Sequence, residues 1–328
     1  MDAIPAATRP AAVFLCREPK SMLPVFSSLL PVFLAIVAGY LLRRTIMPDD
    51  AHWVGLERLT YYVLFPALII ETLARADLTS VPALGVGGAL FLAILAMTAL
   101  LLAIQPLLAR RGISGPTFSS IFQGATRWNT MVALGVAGSL YGGVGITLTS
   151  VAMVAMIPVL NILCVYVLAR FAALTPPSAT SVVRALLANP LIWSCLIGGV
   201  LYVAQVPLPQ AVHGFGDMLG RASVALGLLL VGSGLDPRAL GRPHPATLFT
   251  TILKLALMPA FAIALGKAFG LAGADLTVVA ACAAVPSASN AYVLARQMGG
   301  DAPIIAQMLT VQTIAAGATM PLVIWLVA

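Results

Sequence analysis

Charge is what this chain has least of. Only 9% of its 328 residues are charged, while 60% are hydrophobic. A soluble domain runs at about 25% charged and about 45–50% apolar, so soluble enzymes and soluble binding modules are set aside. Histidine is scarce at 3 residues, and the acids number only 11. The 4 cysteines, Cys16, Cys164, Cys195 and Cys282, form no C-x-x-C. Three lie in apolar runs and read as small buried hydrophobes, neither metal ligands nor a disulfide framework. Alternating strands of about ten residues are missing too, which argues against a transmembrane barrel. What is present is an apolar excess along the whole chain, with mean hydropathy +1.02. With 28 Gly and 23 Pro set in apolar segments, it predicts an all-α polytopic membrane protein with broken helices. The net charge of +7 then reports basic loops at a lipid bilayer, not a nucleic-acid partner.

Ten apolar runs are long enough to cross about 30 Å of hydrocarbon. They cover roughly 24–42, 56–74, 82–108, 115–140, 144–170, 182–205, 210–233, 245–269, 274–297 and 302–327. Arg43, Arg44, Arg58, Arg110, Arg111, Arg170, Arg184, Arg238, Arg242 and Arg296 all fall on one side. The opposite loops hold only Arg75 and Lys267. The positive-inside rule makes the first side cytoplasmic and places both termini outside. Arg9, Arg17 and Lys20 break that rule and no long apolar stretch precedes Met22, so translation is expected to start at Met22. Residues 1–21 then lie upstream of the true start or form a disordered tail.

Ten spans divide as five plus five. The first repeat covers 22–171, a Pro/Ser-rich cytoplasmic linker 172–181, and the second repeat 182–328. An odd number of spans per half gives two inverted repeats. Aligning Gly142-Gly143 with Gly299-Gly300 puts Asn129 over Pro286, and both lie in polar breaks. In span 4, "QGATRWNT" sets Gln123, Thr126, Arg127, Asn129 and Thr130 inside an apolar segment. A mid-membrane Arg costs at least ~2.5–3.5 kcal/mol on insertion scales, so a cavity, an anion or a substrate must compensate. In span 9, "VPSASNAY" sets Pro286, Ser287, Ser289 and Asn290 at the centre, and Pro286 removes a backbone donor. Two broken helices at matching positions point to a transporter site, where half-helix N-termini offer N–H groups to an anion. The plainer reading, a packed kink with Ser and Asn bridging helices, stays open.

At these residues the chain resembles the auxin efflux carrier family, including its prokaryotic members. The motifs are "LTYYVLFPALIIETL" in span 2, "TRWNTMVALGVAGSLYG" in span 4 and Asn189-Pro190-Leu191 opening span 6. Lys254 and Pro259 in "LKLALMPAF" and the stretch "VPSASNAYVLARQMGGD" complete the set. The resemblance implies a scaffold from helices 1, 2, 6 and 7 and a transport domain from helices 3–5 and 8–10. It also implies an elevator-type mechanism with substrate at the crossover of helices 4 and 9. Family substrates are organic anions: auxin, malonate and other small carboxylates. Carried over residue by residue, Asn129 falls on the first crossover and Pro286 on the second. Where the plant exporters have Pro before the crossover Asn, this chain has Trp128, and their long cytoplasmic loop is absent. A prokaryotic member would lie in the bacterial inner membrane with both ends periplasmic; a homodimer is left open.

Other polar residues have two readings each. Asp217 and Arg221, at i,i+4 in span 7, form a structural ion pair or a gate. Glu71, four residues before Arg75, makes an interfacial salt bridge or a proton site. Lys254 snorkels to the cytoplasm or attracts an anion. Asn161 and Gln312 line the crossover or bridge helices. His52, His213 and His244 receive no role. The expected function is a secondary transporter of small organic anions, proton-coupled or uniport, with no cofactor and no metal. A sodium-coupled carrier of the bile-acid-symporter type is the alternative, but no acid lies near either break to serve as a ligand. An intramembrane enzyme would need a nucleophile beside a base, and a receptor would need a signalling domain; the sequence shows neither.

Overall fold

The computed structural model describes residues 23–75, 82–172, 180, 190–288 and 290–328. Residues 1–22, Ser289, Arg184, Asn189 and most of the expected linker lie outside the described residues, as do the side chains of Leu191 and Cys195. Every regular element among the described residues is helical. In chain order these are α1 (Leu23–Thr45), α2 (Asp50–Leu59), α3 (Phe65–Ala74), α4 (Ala83–Arg110), α5 (Gly115–Thr126) and α6 (Thr130–Phe171). There follow α7 (Pro190–Val203), α8 (Gln210–Ser233), α9 (Pro245–Ile252), α10 (Met258–Ala268), α11 (Gly273–Ala284), α12 (Asn290–Met298) and α13 (Ala302–Val327).

Local chemistry explains the joints. π-Turns at Thr60–Leu64 and Leu253–Leu257 weld α2 to α3 and α9 to α10. Each is followed by a proline, Pro66 or Pro259, which lacks an N–H and crowds the carbonyl four residues back. Widening the turn relieves that clash without ending the helix. α6 is not one straight rod: Gly142 takes φ 55 and ψ −134, a conformation closed to other residues, and the chain reverses there. Gly145 then packs so closely against the preceding half that a Cβ on it would lie 2.0 Å from the Ala137 carbonyl oxygen.

Seven helical stretches among the described residues are long and apolar enough to cross a membrane. The chain is therefore an integral, multi-pass membrane protein. α1 packs along α8, and α3 packs on α7 and α8. A second set joins α4, α6, α10, α11 and α13. In the first set the backbones touch: a Cβ on Gly39 would meet the Leu229 carbonyl oxygen at 2.0 Å, and one on Gly232 the Ile36 carbonyl oxygen at 1.8 Å. Lipid is as apolar as leucine, so such close packing of small residues, not hydrophobic exclusion, holds the helices together. α5, α9 and α13 run parallel. Asp301 meets Thr117 near the start of α5, Gln307 meets Thr247 near the start of α9, and Gln312 meets Gly124 near the end of α5.

Candidate functional site

α5 stops at Thr126 and α6 begins at Thr130; α11 stops at Ala284 and α12 begins at Asn290. The two breaks lie against each other. The Asn129 N–H donates to the Pro286 carbonyl at 2.9 Å, joining the stretches directly. Arg127 (φ −66, ψ 150) and Val285 (φ −64, ψ 151) leave their helices in the same extended conformation. Helix ends therefore match Arg127 with Val285 and Asn129 with Ser287, one residue away from the register set by the glycine pairs. Trp128 then stands opposite Pro286.

Asn129 caps α6. Its Oδ1 accepts from the N–H groups of Met131 at 3.1 Å and Val132 at 3.3 Å. The expectation of freely available donors at this helix end is corrected accordingly, because the side chain occupies two of them. Gln312 bridges both breaks: its Oε1 accepts from the Ser287 N–H at 2.9 Å, and its Nε2 donates to the Gly124 carbonyl at 3.1 Å. Ser287 Oγ donates to the Gln123 carbonyl at 3.3 Å. Ser287 and Gln312 thus hold the two breaks together.

Arg127 is 5% exposed. Its guanidinium donates to Asn290 Oδ1 at 2.9 Å and to Asn161 Oδ1 at 3.5 Å, while Nε has no partner among the described residues. Among the described residues its side-chain hydrogen-bond acceptors are neutral amides and no acid pairs with it, so the buried positive charge is solvated but not neutralised there. Beside it lies a cavity of about 50 Å³ lined by Trp128, Thr130, Leu160, Asn161, Ala288 and Asn290, among others. That is room for a few waters.

A family model described as membrane transport protein matches residues 24–325. The chain belongs to that family, the auxin efflux carriers. No curated protein matches it significantly. Membership makes this carrier a membrane transport protein.

The carrier's larger cavity lies elsewhere. A space of about 580 Å³ opens between α3, α6 and α8, with Glu71, Arg75, Asp217 and Arg221 on its wall and Gly135, Gly138 and Ser139 facing them from α6. Asp217 pairs with Arg75 at 3.3 Å, not with Arg221. The i,i+4 spacing of Asp217 and Arg221 was sufficient for a pair, but Arg75 from α3 takes the carboxylate instead. Glu71 is 7% exposed; it holds Arg75 at 3.2 Å and His213 at 2.8 Å. His213, given no role by the sequence, is thus Glu71's second partner. His244 is also more than a loop residue, since its Nδ1 caps α9 by accepting from the Ala246 N–H at 3.2 Å. Lys254 does not snorkel. It is fully buried, and its Nζ has no hydrogen-bond partner among the described residues.

Proposed function

We propose that this carrier moves small organic anions by alternating access, with the substrate held where the two breaks meet. The observation that carries this reading is Arg127: a buried guanidinium at the break, held by two neutral amides and, among the described residues, by no acid. A charge in that state is costly, and an arriving carboxylate relieves the cost where a neutral solute does not. The N-termini of α6 and α12 point their positive ends at the same place. Ten spans in two inverted repeats account for the paired breaks, with one group of helices as scaffold and the other, bearing the breaks, as the moving body. The small cavity beside Arg127 must widen to admit a carboxylate with its carbon skeleton; the larger cavity supplies the path on the other side. Proton coupling or uniport fits the absence of acids from the described residues of both breaks.

The test is uptake of a panel of labelled carboxylates into proteoliposomes. Arg127→Lys keeps the charge and loses the planar fork; Arg127→Gln loses both. Gln should raise KM for the carried carboxylate about tenfold or more, which corresponds to ~1.4 kcal/mol, and Lys should raise it less. An unchanged KM in Arg127→Gln, or carriage of cations alone, would make Arg127 structural.

A further inference from the structure

Lys254 is a buried, charge-bearing group that this reading leaves unused. It lies in the π-turn Leu253–Leu257, wholly enclosed, and its Nζ makes no hydrogen bond or ion pair among the described residues. That turn packs on α5, α11 and α13. Thr250, one turn earlier, fixes its height: the Thr250 methyl lies 2.8 Å from where a Cβ on Gly124 would be. Since α5 and α9 are parallel, one further turn carries Lys254 about 3 Å past the end of α5 at Thr126. Cys282 approaches from α11, two residues before that helix ends, within electrostatic reach of Lys254.

Lys254 therefore stands where two half-helices finish. A helix C-terminus carries about half a negative charge, so two of them offer up to about one unit to a cation; at α5 the Gln123 and Gly124 carbonyls already accept hydrogen bonds, which leaves those of Ala125 and Thr126. Among the described residues the neighbouring side chains add no competing acid. Gln123 on α5 is buried with neither amide atom partnered among the described residues, and α11 presents Cys282, whose Sγ lies 3.9 Å from Thr149 Oγ1. Asp275 is at the opposite end of α11, Lys267 at the far end of α10, and Gln312 on α13 is committed to the breaks. In carriers built on broken helices, half-helix C-termini and unwound carbonyls are where a coupling cation binds.

We propose that the Lys254 ammonium is a tethered cation filling the place of a coupling ion, so that this carrier works without Na⁺ and gains a monovalent-cation site when the ammonium is removed. The proposal rests on reading the two breaks as the transport crossover. Its test is thermal unfolding of the purified full chain in NaCl against choline chloride at equal ionic strength. Wild type should unfold within ~1 °C in the two salts. Lys254→Gln and Lys254→Ala should unfold earlier in choline and recover about 2 °C or more as NaCl rises. A wild-type midpoint that climbs with NaCl overturns the proposal, and so do folded variants indifferent to Na⁺. If a variant does not fold in choline, it should fold when purified in NaCl; variants that fold in neither salt overturn the proposal too. Unfolding needs no substrate, so failure here leaves the organic-anion reading standing. Failure of carboxylate uptake with the expected salt response leaves the tethered cation standing.

Discussion

Replacing Asn129 by Ala separates what its side chain does from what its backbone does. The N–H that donates to Pro286 remains, so the direct link between the two breaks survives. What disappears is Oδ1, which accepts from Met131 and Val132 at 3.1 and 3.3 Å. Loss of an N-cap costs ~0.5–2 kcal/mol, and a buried N–H left unsatisfied costs ~1–3 kcal/mol. Val132 is fully buried, and the neighbouring cavity of about 50 Å³ can bring water to at most part of this turn. The sum is about 2 kcal/mol or more, a fall in Tm of about 4 °C at the usual few degrees per kcal/mol. Asn129→Asp keeps an acceptor and should unfold close to wild type, yet it places a negative charge beside Arg127 and should carry anions poorly. Thermal unfolding of purified protein, paired with proteoliposome uptake at matched reconstitution, reads both effects. If the Ala variant matches wild type in Tm and uptake, Asn129 neither caps nor positions the crossover. If the Asp variant carries anions normally, the charge argument for this site is wrong.

Gly232→Ala should sharply reduce the yield of folded protein, because its Cβ would lie 1.8 Å from the Ile36 carbonyl oxygen; Gly55→Ala, with nothing within 4 Å, is the neutral control. Both are read by monodispersity and unfolding in detergent. Glu71→Leu strips His213 of its partner and should lower stability by about 1–2 kcal/mol, with Glu71→Gln costing less because one acceptor remains; equal Tm values for the two would contradict this. A reporter fused after Ala328 should be active on the outer face, as the arginine distribution requires, and a cytoplasmic signal would reject that topology.

The two breaks were legible because they violate their surroundings: Arg127, Asn129 and Pro286 are conspicuous in runs of Ala, Val and Leu. Their pairing register was less so. Glycine pairs mark where the chain turns after a half-helix, as Gly142 and Gly299 do with φ 55 and 79, and the segment from break to turn need not be equally long in both halves. Partners across helices were not legible at all. Spacing places Asp217 and Arg221 on one helix face, but it cannot show that α3 brings Arg75 nearer. His213 was passed over because a histidine at a span end has solvent as its default partner. The available signal was Glu71, an acid in an apolar helix that needed more than one exposed arginine. Lys254 misled for a related reason. Depth along a span can be counted, but which neighbour a residue faces depends on packing, and here packing turns it inward. The π-turns had their cause in plain view, in Pro66 and Pro259.

The placement of small residues bears on how such a molecule could move. Where α1 meets α8, glycines bring backbone onto backbone, and any displacement would have to break several such contacts at once. Between α6 and α8 the pattern differs. A Cβ on Gly227 would meet the Met131 side chain at 3.0 Å, and one on Gly135 would meet the Leu228 side chain at 3.2 Å. Here side chains fit over glycines, and the ends of Met and Leu can change rotamer without backbone strain. The large cavity lies along this second boundary, between the helices that carry Glu71 and Asp217 and the one that carries Asn129. One boundary is therefore locked by backbone and the other packed by adaptable side chains beside open space. Relative motion at the second costs less, and under the alternating-access mechanism proposed above it is this boundary that would slide as the crossover, Arg127 included, moves.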